Sequence, residues 1–333
     1  MYLVITIDTE EDNWGEYARD RYTVENLDRL PRLQQIFDSY GVRPTYLISH
    51  PVATSDKAVD ILGGFHETGR CEIGAHCHPW NTPPLDEERN ALNSFITRLP
   101  ADLQYRKLAH LHQTIIQNFG VVPRSFRSGR WGFGDGIAQH LITLGYSVDS
   151  SVSPAMDWSE YGGPDYSSCN LRPYVYEMEA STGVTGGRLL ELPATVDFLQ
   201  GPHAIARPAY WRLNRNVAFG REVLAALRRL RAINHVCLSP ELDATSEMIQ
   251  LTKALMRREQ PVVNMFFHSP SLLEGCSPFV QTPAEVDAFF DSIETFVGFA
   301  VAAGLRPVTL SELDAAQVGA TEVRLVGSKP SLH

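Results

Sequence analysis

No stretch of the 333 residues approaches the ~20 consecutive apolar residues of a membrane-spanning helix, so none is expected. The five cysteines (Cys71, Cys77, Cys169, Cys237, Cys276) are odd in number and lack CxxC spacing, which fits reduced thiols rather than a disulfide framework or a structural zinc. Basic charge is also short: 29 Lys and Arg face 39 Asp and Glu, a net charge of -10, and no basic stripe offsets it. That balance argues against a nucleic-acid or anionic-membrane binder. No basic residue precedes the opening apolar run "MYLVITID", so no secretory signal is expected, and a cytoplasmic location is. Neither an internal repeat nor a dividing linker is evident. The expectation is one domain over residues 1–317, with a poorly ordered tail over 318–333.

What is present is a composition able to bury a core, 44% apolar and 20% charged. Short β-rich runs alternate with amphipathic stretches, which predicts βα units around a parallel sheet. Strands are expected at 2–8, 44–49, 72–76, 124–128, 145–149, 189–195, 262–268 and near 306–308. Helical spacing runs through "VENLDRLPRLQQIFDSYG" and "ADLQYRKLAHLHQTIIQNFG", and through 282–304, where Thr282 is an N-cap candidate before Pro283. From about 150 to 187 the chain is dense in Gly, Pro, Ser, Tyr and Asp, which reads as a long loop excursion suited to binding.

In α/β barrels the working side chains sit at the C-terminal ends of strands. The first strand ends in "IDTEED", where four carboxylates crowd together and where period two puts Asp8 and Glu10 on one face. The third ends in "EIGAHCHPW", and the same period brings His76 and His78 together. Acidic clusters are commonly solvated, and a lone histidine such as His268 after an apolar strand is commonly a hydrogen-bonded core residue. Two imidazoles facing one way are harder to satisfy by packing. With an acid from another strand they make a reasonable site for a divalent transition metal, with zinc first and cobalt, nickel or manganese as alternatives. Arg127 could equally brace the sheet as an ion pair. Trp14, Trp80 and Trp131 could stack on a sugar face or pack under loops, and His50 is the candidate among the remaining histidines.

The joint order of these motifs resembles the polysaccharide deacetylase (NodB-homology) family, carbohydrate esterase family 4, over residues 3 to about 315. "TIDTEED", "EIGAHCH", "FRSGRWG", "GYSVDSSVSP" and "FFHSPSLLEG" carry the resemblance, with "LLELPAT" like the strand between the last two. It implies a distorted (β/α)7 TIM-like barrel and a metal-dependent hydrolase that removes an acyl group from an amino sugar. By the same resemblance Asp8 is the catalytic base, His76 a metal ligand, Arg127 the residue orienting the base, Asp149 a supporting acid and His268 the general acid. Trp80 stands where better-known members have their second metal histidine, which leaves His78 for that role. Thr9 stands at the second aspartate, so Glu10 is nominated as the acidic ligand, with Glu11 and Asp12 as rivals. Arg130, Trp131, Trp80 and Glu191 are candidate substrate contacts. The expected partner is an amino sugar, nucleotide sugar or glycan precursor. Competing readings are an amidohydrolase acting on a non-sugar amide, a glycoside hydrolase using Asp8 and Glu191, and an inactive carbohydrate-binding barrel.

Overall fold

The structure, a computed structural model, describes residues 1–12, 15, 17, 21–179, 186–199, 203–214, 220–230 and 232–325. In chain order these form β1 (Tyr2–Thr9), α1 (Leu30–Ser39), β2 (Thr45–Ile48), β3 (Glu72–Cys77), α2 (Ala101–Phe119), β4 (Ser125–Ser128), α3 (Asp135–Leu144) and β5 (Val148–Asp149). There follow β6 (Tyr174–Met178), β7 (Gly187–Glu191), β8 (Val196–Phe198), α4 (His203–Asn214), α5 (Gly220–Arg229) and β9 (His235–Cys237). The chain ends with α6 (Thr245–Arg257), β10 (Val262–His268), α7 (Pro283–Ala302), β11 (Arg306–Pro307) and β12 (Thr321–Leu325). The helices start and stop where their chemistry dictates: Pro283 opens α7 behind Thr282, whose hydroxyl and Glu285 form a reciprocal capping box.

The main sheet runs β10-β1-β2-β3-β4-β5-β7-β6-β12, parallel except where β6 meets β7. Its flanks are drawn together at the C-terminal ends of the strands. Thr195 N–H donates to the Asn264 carbonyl at 3.3 Å, and Phe266 N–H to the Leu238 carbonyl at 3.1 Å, so the segments after β7 and β9 reach β10. This is the mixed α/β architecture with a mostly parallel sheet that the alternation predicts, drawn toward the barrel that the resemblance implies.

Period two sorts the side chains of the central strands. Leu3, Ile5 and Ile7 of β1, Ile73, Ala75 and Cys77 of β3, and Val263, Met265 and Phe267 of β10 join the large apolar cluster shared with the helices. Their alternate neighbours face inward, where Val4, Leu47, Val148, Leu190 and Val262 form a second, smaller core. Above it the interior turns polar. Thr6 donates to Asn264, Asn264 to Ser150, and Arg127 to both Thr6 and Ser150. Inside this narrow space Gly74 has no room for a side chain, since a Cβ would stand 2.6 Å from Leu47 and 2.7 Å from the Ser125 carbonyl.

Two expectations are corrected. Thr321–Leu325, placed in a poorly ordered tail, instead adds to β6 as a parallel edge strand, because its β-branched and alternating residues suit a pleated edge. Part of the excursion at 150–187 is also regular: Tyr174–Met178 pairs with β7. Among the described residues no helix is long and apolar enough to cross a membrane.

Candidate metal and acid–base site

The strand register assembles the site. Asp8 aligns with His268 across β1 and β10, and His76 with Arg127 across β3 and β4. Asp8, His76, His78 and His268 line one cavity of about 660 Å³ at the C-terminal ends of the strands, with Trp80, Arg130, Trp131, Trp158, Phe266 and Phe279 in its wall.

Glu10, His76 and His78 converge so closely that one ligand atom from each lies within 4.8 Å of the others. Glu10 Oε2 is 2.6 Å from His78 Nε2 and 3.8 Å from His76 Nε2, and the two Nε2 atoms are 2.9 Å apart. His76 Nδ1 lies 3.0 Å from the Arg127 carbonyl, which accepts its proton and leaves Nε2 as a lone pair. Glu10 Oε1 and His78 Nδ1 are buried without a hydrogen-bond partner among the described residues, an arrangement that is costly without a further ligand. Burial pushes both imidazoles down to about 4, so they are neutral and available as donors near neutral pH. Burial pushes Glu10 up to about 7 despite the nearby His268 and His76. Two neutral imidazoles and one carboxylate, buried and convergent, fit a divalent transition metal. Gly129 makes the crowding possible, since a Cβ there would sit 2.3 Å from His78 Nδ1.

Asp8, two residues from Glu10, is differently provided. Arg127 Nη1 donates to Asp8 Oδ1 at 2.7 Å, and the same guanidinium donates to Ser150 O and Thr6 Oγ1, each at 2.7 Å. Burial alone would raise this carboxyl, but Arg127, His76 and His268 hold it below its ordinary value. His268 Nε2 is 3.8 Å from Asp8 Oδ2, and its Nδ1 is 2.8 Å from Glu241 Oε2. Burial works against the imidazolium, yet Glu241, with Glu10 and Asp8, raises His268 to about 9.

Glu241 is the residue that sequence reasoning missed. It also accepts from the His268 backbone N–H at 3.1 Å and from the Ser271 hydroxyl. Its one local signal is "CLSPELD", an apolar run passing through a Ser-Pro turn into an acid. Lys107 was missed as well. It reaches from α2 to the carbonyls of Pro79, Thr82 and Pro84 and to Glu87, fastening the loop behind His78.

Other sequence candidates lie elsewhere. Glu11 and Asp12, the rival acids, are each 4% exposed and committed to structure. Glu11 accepts from Ser49 and Asn81, and Asp12 from the backbone of Glu25 and Asn26, which leaves Glu10 as the acid at the histidines. Asp149 does not touch Arg127 by a hydrogen bond; it accepts from the Ser151 hydroxyl and N–H. Glu191 is fully buried opposite Asp149 in the β5–β7 register and is not part of the cavity wall, so it is out of position for a substrate contact or a carboxylate pair with Asp8. Trp80 lies 4.0 Å from the His78 ring, and Trp131 packs under Arg127 at 5.3 Å, so both support the site as well as line it. His50 pairs with His110 away from the cavity. Trp14 lies outside the described residues.

No protein-family model matches the sequence. No curated protein matches it either. Among solved structures the chain is similar to a protein assigned as a polysaccharide deacetylase from Mycobacterium smegmatis, with a TM-score of 0.55 and 15% identity over 99% of this chain and 95% of that one. A protein from Parabacteroides distasonis assigned as a glycoside hydrolase or deacetylase gives 0.59 and 12%, over 93% and 69%. A 4-alpha-glucanotransferase from Thermococcus litoralis gives 0.54 and 11% over 98% of this chain, which spans 42% of that longer protein. At such identities what is shared is the fold.

Proposed function

From a chain that has the fold of the polysaccharide deacetylases, we propose a metal-dependent hydrolase that removes an acyl group, N-acetyl first, from an amino sugar in a saccharide or glycan precursor. The observation that carries this reading is the buried convergence of Glu10, His76 and His78 beside the Asp8–Arg127 and His268–Glu241 pairs, with Asp8, His76, His78, Glu241 and His268 lining one cavity.

Glu10, His76 and His78 would hold the divalent cation, zinc by its preference for imidazole and carboxylate. When bound, such an ion supplies Lewis-acid polarisation of an acyl oxygen and acidifies water. Asp8 takes the proton of the attacking water, and Arg127 keeps that carboxylate ionised and aimed. His268, protonated through Glu241, delivers a proton to the departing amine, without which the tetrahedral adduct reverts to amide. Arg127 is braced by Ser150 and Thr6, so the base is aimed by a network spanning β1, β4 and the end of β5. The indole rings of Trp80, Trp131 and Trp158 offer flat apolar faces suited to a sugar ring.

The test combines elemental analysis of the purified protein with acetate release from acetylated amino sugars, with and without chelator. Stoichiometric metal and chelator-sensitive release are expected; release that survives complete metal removal overturns the reading. His76→Ala should lose both metal and release together.

A further inference from the structure

Among the described residues, the charged side chains that line the cavity are paired within the protein, Arg130 excepted. Asp8 is paired with Arg127 and His268 with Glu241, while Glu10 meets the neutral rings of His76 and His78. Arg130, which lines the same cavity, has no carboxylate within ion-pair distance among the described residues. Its Nη1 donates to the Ser94 hydroxyl at 2.6 Å and its guanidinium lies 4.4 Å from the Phe95 ring centroid. Most of its N–H donors therefore have no partner among the described residues.

This arginine is also held in place. Arg130 and Trp131 adopt φ of 54° and 59°, left-handed conformations uncommon outside glycine that persist only where surrounding structure enforces them. The enforcement is visible: the Tyr166 hydroxyl donates to the Trp131 carbonyl at 2.8 Å, and Gly129, directly before Arg130, abuts His78. Arg130 is close enough to His78 to disfavour that ring's protonation, so it acts electrostatically on the same centre. Burial depresses its own guanidinium, and no carboxylate among the described residues offsets the penalty. A half-buried, rigid fork of donors beside a ligand cavity is suited to a planar or tetrahedral oxyanion, which it can bind with two parallel hydrogen bonds.

We infer that Arg130 is an anion-recognition residue and that the substrate carries a carboxylate or phosphate in addition to its acylated amine. The inference rests on the deacylation reading for the identity of the amine but not for the anion. A neutral acetylated sugar would leave Arg130 without a counter-charge, whereas an acidic or phosphorylated one would satisfy it.

The probes are N-acetylglucosamine, its 1-phosphate and 6-phosphate, and 2-acetamido-2-deoxyglucuronate, each assayed for acetate release and titrated calorimetrically into the metal-loaded enzyme. For the wild type, kcat/KM should favour one anionic sugar over the neutral one. Arg130→Gln should reduce that preference by about 10- to 100-fold, the range for one charge-assisted bidentate contact. Arg130→Lys should restore part of it, which separates loss of charge from a disturbed turn. Preference for the phosphates identifies a sugar phosphate or nucleotide sugar; preference for the uronate identifies an acidic sugar. Equal kcat/KM and equal affinity for neutral and anionic sugars, or an unchanged preference in Arg130→Gln, overturns the inference while leaving the deacylase standing. If no probe is turned over by metal-loaded protein, the deacylase reading fails, and the calorimetric ratio between wild type and Arg130→Gln still decides the anion.

Discussion

Asp8 and Glu10 stand two residues apart at the end of one strand, equally buried at 3% and 2% exposure, yet their carboxyls are shifted in opposite directions. Burial pushes both upward. Asp8 escapes because Arg127 donates directly to it, with His76 and His268 nearby. Glu10 has His268 nearby but no cation donating to it directly; the imidazoles it meets, His76 and His78, are themselves driven neutral, and one of its oxygens has no hydrogen-bond partner among the described residues. The contrast teaches that burial alone does not set the role of an acid. One carboxylate carries its counter-cation within the chain; the other has no direct cationic partner among the described residues and is the one assigned to a metal in the proposed function.

The largest expected effect comes from breaking the Glu10 side. Glu10→Gln should lose stoichiometric metal, read by elemental analysis. The metal-free variant should nevertheless match or exceed wild-type stability at neutral pH, because a buried carboxyl without a cation is removed. The sign follows from the raised value. Wild-type Glu10 keeps its proton in the folded state up to about 7, while the unfolded chain releases it lower, so this group subtracts stability as pH rises through that window. The gain of Glu10→Gln over wild type in metal-free melts should therefore grow from acidic pH toward about 7 and then level off. Asp8→Asn should do the converse: metal retained, deacylation reduced by about 10²- to 10⁴-fold. It should also be destabilised by about 3–5 kcal/mol, since Arg127 is left buried without its counter-charge. Equal metal loss in both variants would erase the distinction between base and ligand.

How much of this was legible in the sequence depends on how local each partnership is. Asp8 with Glu10, and His76 with His78, could be grouped because period two in an extended strand places alternate residues on one face. The core strands were legible for the same reason: Leu3, Ile5 and Ile7 face one way and Val4, Thr6 and Asp8 the other. Exclusion of the rivals Glu11 and Asp12 was not, because Ser49, Asn81 and the backbone at Glu25 and Asn26, which occupy them, arrive from other loops. The bracing of Arg127 was not legible either, because the guanidinium is met by Ser150 and Thr6, small hydroxyl residues with no distinctive pattern. Glu241 follows a strand of only three residues, His235–Cys237, too short to show a period.

The smallest expected effect is also the sharpest probe of the missed residue. In the proposed reaction His268 donates a proton only while protonated, and Glu241 is the main group that holds it so, up to about 9. Activity should therefore persist through neutral pH and fall as pH rises through that value. Glu241→Gln keeps the shape and can still accept from the His268 N–H and Ser271, but it removes the charge. The basic limb of the kcat profile should move toward the ordinary imidazole range, lowering the rate by roughly tenfold near pH 8.5 and much less near pH 6. Metal content should not change, because Glu241 contacts none of the three convergent ligands. A uniform loss at every pH would mean that Glu241 only braces the turn after β10. A shifted limb with intact metal would mean that the ionisation of His268 is set from across the cavity, as that of Asp8 is set by Arg127.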